Sequence, residues 1–390
     1  MGDRILKTMV RALLPLFLLL AACGSAPVAP PPDRLFNDHL FHAPSERIVP
    51  DDIFAVSDAM KRFVRTEIGG PLHGGGIQHR FAEALYTKGE LRLEYESVRT
   101  RNAAEAFDAR TGNCLSLVIM TAALAKEIGL PVRYQRVYVD DTWSRSGDVY
   151  FSIGHVNLSL GRRQIDGGFG HNDSDMLTID FLPPRDLRGV RTQELEEQTI
   201  AAMYLNNRAA ESFTRGQLDD AYWWARAAIE KDPGFVGAYN TLGVIYRRHG
   251  NAKEAEQVLA GALEREPANT HVMSNLIPVL DGLGRVAESR SLALKLEQLE
   301  PNPPFSFFNR GLAALERSDF TAARDLFARE IDRAPYNHEF HYWLAVAHAG
   351  LGDRERARKE LVTALETSST TNDRAMYAAK LDRIKASQAR

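Results

Sequence analysis

The sequence predicts two folded parts in series: an α+β domain over about residues 35–195, then an all-α solenoid over about residues 196–390. Three observations predict this. Pro233, Pro267, Pro301 and Pro335 recur at a fixed 34-residue step, the mark of stacked helical hairpins. A helical pattern that is apolar on nearly every face, Leu115 to Ile128, is followed by three strand candidates: 132–139, rich in Val and Tyr, and the alternating stretches 149–160 and 176–182. Ahead of both lies a short basic and then apolar leader that belongs to neither part.

The leader occupies residues 1–22. Arg4, Lys7 and Arg11 precede an apolar run from Ala12 to Ala22 that is too short to span a bilayer comfortably. It closes on Leu20-Ala21-Ala22-Cys23-Gly24, which resembles a bacterial lipoprotein signal. The resemblance implies cleavage before Cys23, lipidation of Cys23, and an acyl anchor in place of a spanning helix. Gly24, in place of an aspartate, implies the outer membrane, with the body facing the periplasm. Residues 23–34 then form a lipidated cysteine and a proline-rich, extended spacer. A formal net charge of −3 gives no electrostatic footprint for nucleic acid, which is not expected as a partner.

In the α+β domain, Asp51-Asp52 are expected to open a helix bearing Ile53, Val56, Met60, Phe63 and Val64 on one face, stopped by Gly69-Gly70-Pro71. Gly74-Gly75-Gly76 lacks the spacing of a phosphate-binding turn. Ile77 to Tyr86 reads as a second helix, and Asn102 with Glu105 has the spacing of a capping box.

The stretch around which the domain is organised is Arg110-Thr111-Gly112-Asn113-Cys114-Leu115-Ser116-Leu117. Gly112 is expected to close one helix in the left-handed conformation and Asn113 to cap the next. Cys114 then falls in a first turn, where unpaired backbone N–H groups favour a thiolate. The helix behind it is apolar all round and so predicted to be buried, which would leave the sulfur at the exposed tip of a rigid post. A free cysteine is ordinarily a small buried hydrophobe, so position alone does not make a nucleophile. The chain has two cysteines; with Cys23 acylated, Cys114 is the sole remaining thiol.

Along 149–160, Val156, Leu158 and Leu160 share one strand face, while Ile153, His155, Asn157 and Ser159 share the other. Along 176–182, Thr178 and Asp180 share the more polar face. A hairpin pairing these strands would set His155 beside Asp180. A cysteine at a helix start, a histidine on one strand and an acid on the next are what thiol nucleophilic chemistry needs. Here the segment resembles the transglutaminase-like branch of the papain-like cysteine enzymes, through GNCLSL, GHVNLSL and TIDF. The resemblance covers about residues 95–185. It implies Cys114 as nucleophile, His155 as base and Asp180 as the group that orients the imidazole. The sequence departs from the common pattern in the 25-residue gap from His155 to Asp180 and in lacking an aromatic residue soon after the histidine. Asp166, in QIDGG, therefore remains a rival for the third role. Asp180 leads because it ends an alternating strand, while Asp166 meets a glycine-rich loop. Trp143 reads as a loop anchor or a substrate platform. His39-x-x-His42 and His338-x-x-His341 have metal-like spacing without completing ligands, so no metal and no cofactor are expected.

In the solenoid, Gly216, Gly250, Gly284, Ser318 and Gly352 keep the 34-residue step, as do Ala221, Ala255, Ser289, Ala323 and Ala357. This resembles the tetratricopeptide repeat, in five copies from about Ala202 to Ser369. The turn residue joins helix A to helix B, the small residue lets helices approach, and proline ends helix B. Pro278 and Ser289 make the third copy degenerate, with a kink expected at Pro278. Met376 to Ile384 is expected to cap the last apolar face. The resemblance implies a concave groove for a protein or peptide partner, with Asn206, Asn240, Arg247, Phe305, Phe308 and Tyr342 as groove positions; the aromatics read equally as inter-repeat core.

Together these readings predict an envelope lipoprotein that attacks amides through a thioester on Cys114, as a hydrolase or an acyl transferase, with repeats that recruit a partner. The alternative is a non-catalytic adaptor in which the thiol domain is a binding or scaffold module.

Overall fold

The computed structural model describes residues 35–68, 77–86, 94–95, 99–146, 149–161, 176–181, 191–335, 337–368 and 371–388. The leader, Cys23, the proline-rich spacer, the triple glycine and Asp166 lie outside the described residues.

The first helix is shorter than its apolar pattern. Asp51 and Asp52 sit in a single 3-10 turn, Pro50–Asp52, and the helix itself, α1 (Asp58–Phe63), starts where the Ser57 side chain accepts from the Met60 N–H. Serine at the cap satisfies an N–H that the acidic pair upstream does not reach. A π-helical turn, Val64–Ile68, continues it. Next come α2 (Ile77–Tyr86), the two-residue strand β1 (Glu94–Tyr95) and α3 (Ala103–Ala109), whose capping box forms in both halves between Asn102 and Glu105.

The turn after α3 differs from expectation in one respect. Arg110, not Gly112, adopts the left-handed conformation (φ 56°). Gly112 lies in the short strand β2 (Thr111–Gly112), paired in parallel with β1. Its lack of a side chain has another cause: a Cβ there would stand 2.7 Å from the Ser116 Cβ. Helix α4 (Cys114–Glu127) follows, buried from Cys114 through Ala125.

Strands β3 (Val132–Ser146), β4 (Val149–Leu160), β5 (Leu177–Ile179) and β6 (Arg191–Leu195) form one antiparallel sheet in the order β5-β4-β3-β6. The short polar β6 carries no alternation that would mark it, and it pairs along the outer edge of β3. β4 lies against α4 and is buried on both faces: Val156, Leu158 and Leu160 on one, His155, Asn157 and Ser159 on the other.

Ten helices pair as five hairpins: α5 (Glu197–Thr214) with α6 (Leu218–Lys231), α7 (Val236–His249) with α8 (Ala252–Arg265), α9 (Thr270–Gly282) with α10 (Val286–Leu299), α11 (Ser306–Glu316) with α12 (Phe320–Arg333), and α13 (His338–Gly350) with α14 (Arg354–Thr367). The turn residues Gly216, Gly250, Gly284 and Gly352 all have positive φ, and Ser318 is held in the same region at φ 57°. Pro278 lies inside α9, which runs through it as one helix. A last helix, α15 (Thr371–Gln388), packs Tyr377 and Leu381 against Ala345, Leu361 and Ala364 and caps the array.

One apolar core runs from Leu35 through the sheet and α4 into the first three hairpins, as far as Leu280. Residues 35–57 act as a strap on the first hairpins. Phe41 stacks on Tyr222 at 4.0 Å, Tyr222 donates to Asp38 (2.6 Å), Tyr246 donates to the Leu35 carbonyl (2.8 Å), and Asp220 accepts from both the backbone and the hydroxyl of Ser45.

Candidate active site

The start of α4 is fixed by side chains that share hydrogen bonds. Asn113 Oδ1 accepts from the Ser116 N–H (2.9 Å) and from the Ser116 hydroxyl (2.8 Å), and Ser116 Oγ accepts from the Arg101 N–H (2.8 Å). Asn113 Nδ2 donates to Thr100 Oγ1 (2.9 Å). Thr100 is in turn held by the first hairpin: its N–H donates to Glu211 (2.6 Å) and its Oγ1 accepts from Asn207 (3.3 Å). The helix opening that carries Cys114 is thus bonded to α5 through one buried threonine.

His155 and Asp180 come together as the strand pattern predicts. The β4–β5 register opposes Leu158 to Ile179 and Ser159 to Thr178, so its next step sets Asn157 opposite Asp180 and His155 diagonally across. His155 Nε2 lies 2.8 Å from Asp180 Oδ1, with both side chains nearly inaccessible to solvent. The Cys114 side chain stands beside the same ring and acts on its charge. With Nε2 on the carboxylate, Nδ1 is the nitrogen left for the sulfur. Burial, the largest influence, pulls the imidazole toward neutrality. The hydrogen bond to Asp180, then the hydrogen bond and charge of Cys114, outweigh it and raise its pKa from 6.5 to about 9. At neutral pH the ring is therefore cationic.

One expectation about the cysteine is corrected. Cys114 is 4% exposed and lies in the apolar core, not at an exposed tip. The helix that Cys114 opens packs against β4, the strand that carries His155.

Asn157 is a site residue that the strand pattern puts on the right face without giving it a role. Its Nδ2 donates to Asp180 Oδ2 (2.7 Å), while His155 meets Asp180 Oδ1. Asn157 Oδ1 is buried with no hydrogen-bond partner among the described residues. Flipping the amide would turn that oxygen onto a carboxylate, so the contact with Asp180 decides the orientation. The HVN triplet is the signal in the sequence that could have found it.

The other candidates divide. His42 meets Asp219, His338 meets the Tyr377 hydroxyl, and His341 is bonded at both nitrogens, to Glu360 (2.7 Å) and the Pro335 carbonyl (2.9 Å). No group of three or more metal-ligating side chains occurs among the described residues. Phe305 and Phe308, read as groove positions, are buried in the core of the fourth hairpin with Phe327 and Phe340. Tyr342 stacks on Tyr377 of the capping helix. Asn240 accepts from Asn275 Nδ2 (2.9 Å), which joins neighbouring helices A. Asn206 and Arg247 are half-buried on α5 and α7. No helix of the described residues is long and apolar enough to cross a membrane.

A run of hairpins with a 34-residue step, left-handed turn residues and a capping helix defines a tetratricopeptide-repeat solenoid. Comparison with known proteins agrees: residues 224–257 and 308–373 match tetratricopeptide repeat families. The chain is 30% identical over 115 residues to human Tetratricopeptide repeat protein 7A, a match that covers 29% of this chain and 13% of that protein. Similar solved structures include YrrB, described as a TPR protein with an unusual peptide-binding site, at 23% identity, covering 48% of this chain and 99% of that one, with a TM-score of 0.25. A thermophilic TPR protein of Thermus thermophilus is 17% identical, covers 46% of this chain and 98% of that one, and has a TM-score of 0.30.

Proposed function

We propose that this chain joins a protein-binding repeat array to a thiol site that attacks amide carbonyls. The observation that carries the second half is His155, bonded to Asp180 and placed beside Cys114 at the first turn of α4. The Cys114 sulfur, as the thiolate beside the imidazolium in this scheme, adds to a carbonyl carbon. The charge that develops on oxygen is met by the Cys114 N–H, one of the helix-opening donors with no carbonyl below it. The tetrahedral adduct collapses to a thioester as the C–N bond breaks, and the imidazolium gives its proton to the departing amine. Water or a second amine then attacks the thioester, loses its proton to the neutral imidazole, and restores the thiolate and imidazolium. Asp180 keeps the ring oriented throughout and is not itself protonated. Hydrolase and acyl transferase differ only in the second nucleophile. The transglutaminase-like resemblance, the lipid anchor on Cys23 and a place on the periplasmic face of an outer membrane belong to the same proposal.

A second reading is a tethered adaptor whose sheet domain is a scaffold. It is favoured by the core shared between the sheet and the first hairpins and by the matches to repeat families. Electrophilic peptide probes separate the two. A thiol enzyme is labelled at Cys114, and the labelling disappears in His155→Ala. An adaptor binds its partners equally well as Cys114→Ser and shows no labelling that depends on His155.

A further inference from the structure

The five hairpins are not stacked without interruption. α8 packs against α9 and α12 against α13, but α10 makes no comparable contact with α11. On α10, Val286, Leu294 and Leu299 are left 53%, 56% and 47% exposed. The repeat register gives the cause. Counting each 34-residue repeat from Ala202, the seventh position holds Arg208, Leu242, Leu276, Arg310 and Leu344. The three leucines are buried. The two arginines stand where a stack begins: Arg208 at the start of the first hairpin, Arg310 at the start of the fourth, just past the break.

The chain covers the first of these ends itself. Glu46 of the strap pairs with Arg208 at 2.8 Å and accepts from Trp224 Nε1 at 3.0 Å, while the guanidinium lies 5.1 Å over the Trp224 ring. The second end has the cation and no such cover. Arg310, Arg329 and Arg333 lie 5.9, 3.8 and 5.8 Å from the ring centroid of Phe307, whose face offsets part of their mutual repulsion. Arg333 has Glu330 at 3.3 Å. No carboxylate pairs with Arg310 or Arg329 among the described residues, and both are exposed. Stack ends in repeat proteins need a cap.

We propose that this end of the fourth hairpin docks an acidic segment of a partner protein, whose carboxylates pair with Arg310 and Arg329 as Glu46 pairs with Arg208. Phe307 and Arg310 lie on helix A of this hairpin, Arg329 and Arg333 on its helix B. The proposal rests on the reading of the repeats as a partner-binding array and is independent of the thiol chemistry.

The test uses the full chain and a fluorescein-labelled peptide of eight glutamates interrupted by two leucines, followed by anisotropy in 50 mM salt. Saturable binding is expected, weakened at least tenfold by the double substitution Arg310→Glu and Arg329→Glu. Arg248→Glu with Lys253→Glu, on another surface, should leave it unchanged. Arg310→Leu, which restores the register's leucine, should weaken it at least fivefold and keeps the test valid if the double variant misfolds. The proposal is overturned by absence of saturable binding, by equal binding of a glutamine version of the peptide, by an Arg310→Leu affinity equal to wild type, or by tighter binding of an eight-nucleotide single-stranded DNA. Cys114 labelling measured on the same samples reports the thiol reading separately.

Discussion

His155 and Asp180, 25 residues apart in the chain, meet diagonally where β4 runs past the end of β5, with Nε2 2.8 Å from Oδ1. That contact leaves one imidazole nitrogen for the Cys114 sulfur and helps raise the ring's pKa to about 9.

The raised pKa makes stability depend on pH. A histidine whose folded value lies above its unfolded value of 6.5 contributes stability that is fully present below pH 6.5 and lost as pH rises through about 9. Thermal unfolding of the wild type should therefore fall in Tm between pH 7 and 9.5. His155→Gln should show a flatter profile across that window and a lower Tm at pH 6.5. Calorimetry of both across the range checks this.

Asn157 holds the carboxylate that holds the ring. Asn157→Ala removes the hydrogen bond that Asn157 donates to Asp180 Oδ2 and should lower the pH at which the His155 ring deprotonates, read by NMR of the imidazole protons. The loss of one buried charge-assisted hydrogen bond should cost about 2 kcal/mol in denaturant unfolding. Asp180→Asn should move the ring further in the same direction, because it removes the charge as well.

Thr100 ties the start of α4 to α5. Thr100→Val keeps the shape and removes the oxygen that accepts from Asn113 and Asn207. Two amide donors lose their acceptor, so a loss of about 2 kcal/mol is expected by chemical denaturation. Hydrogen exchange should rise at the amides of Asn113 to Leu117 more than in the distant α13.

Ser318 occupies a turn position where the other four repeats have glycine, with a φ of 57° that costs an L-residue about 1 kcal/mol. Ser318→Gly should stabilise the chain by about that amount, seen as a raised urea midpoint with no change in slope.

Much of this architecture was legible in the sequence because periodicity reports burial directly. The 34-residue step located all five hairpins, and the alternation in 149–160 placed His155 and Asn157 on one face. The helix start at Cys114 was legible from Asn113, a cap whose side chain does what its type predicts. What escaped depends on contacts between distant segments. Cys114 is buried within a core built from distant segments, Gly112 is required by Ser116 and not by its own φ, and β6 pairs along the edge that β3 offers. The strap of residues 35–57 has no periodic pattern, and its role emerges only against α6 and α7. Phe305 and Phe308 read equally as groove positions and as inter-repeat core, and the structure places them in the core.

The most direct test of the central claim is the rate at which iodoacetamide alkylates Cys114 at pH 6.5 in the native chain, followed by intact mass. The account predicts alkylation at least tenfold faster than for a free cysteine in a peptide, reduced to the peptide rate or below in His155→Ala while the variant remains folded. Equal rates in wild type and His155→Ala would contradict it and leave the repeat array as the working part of the molecule.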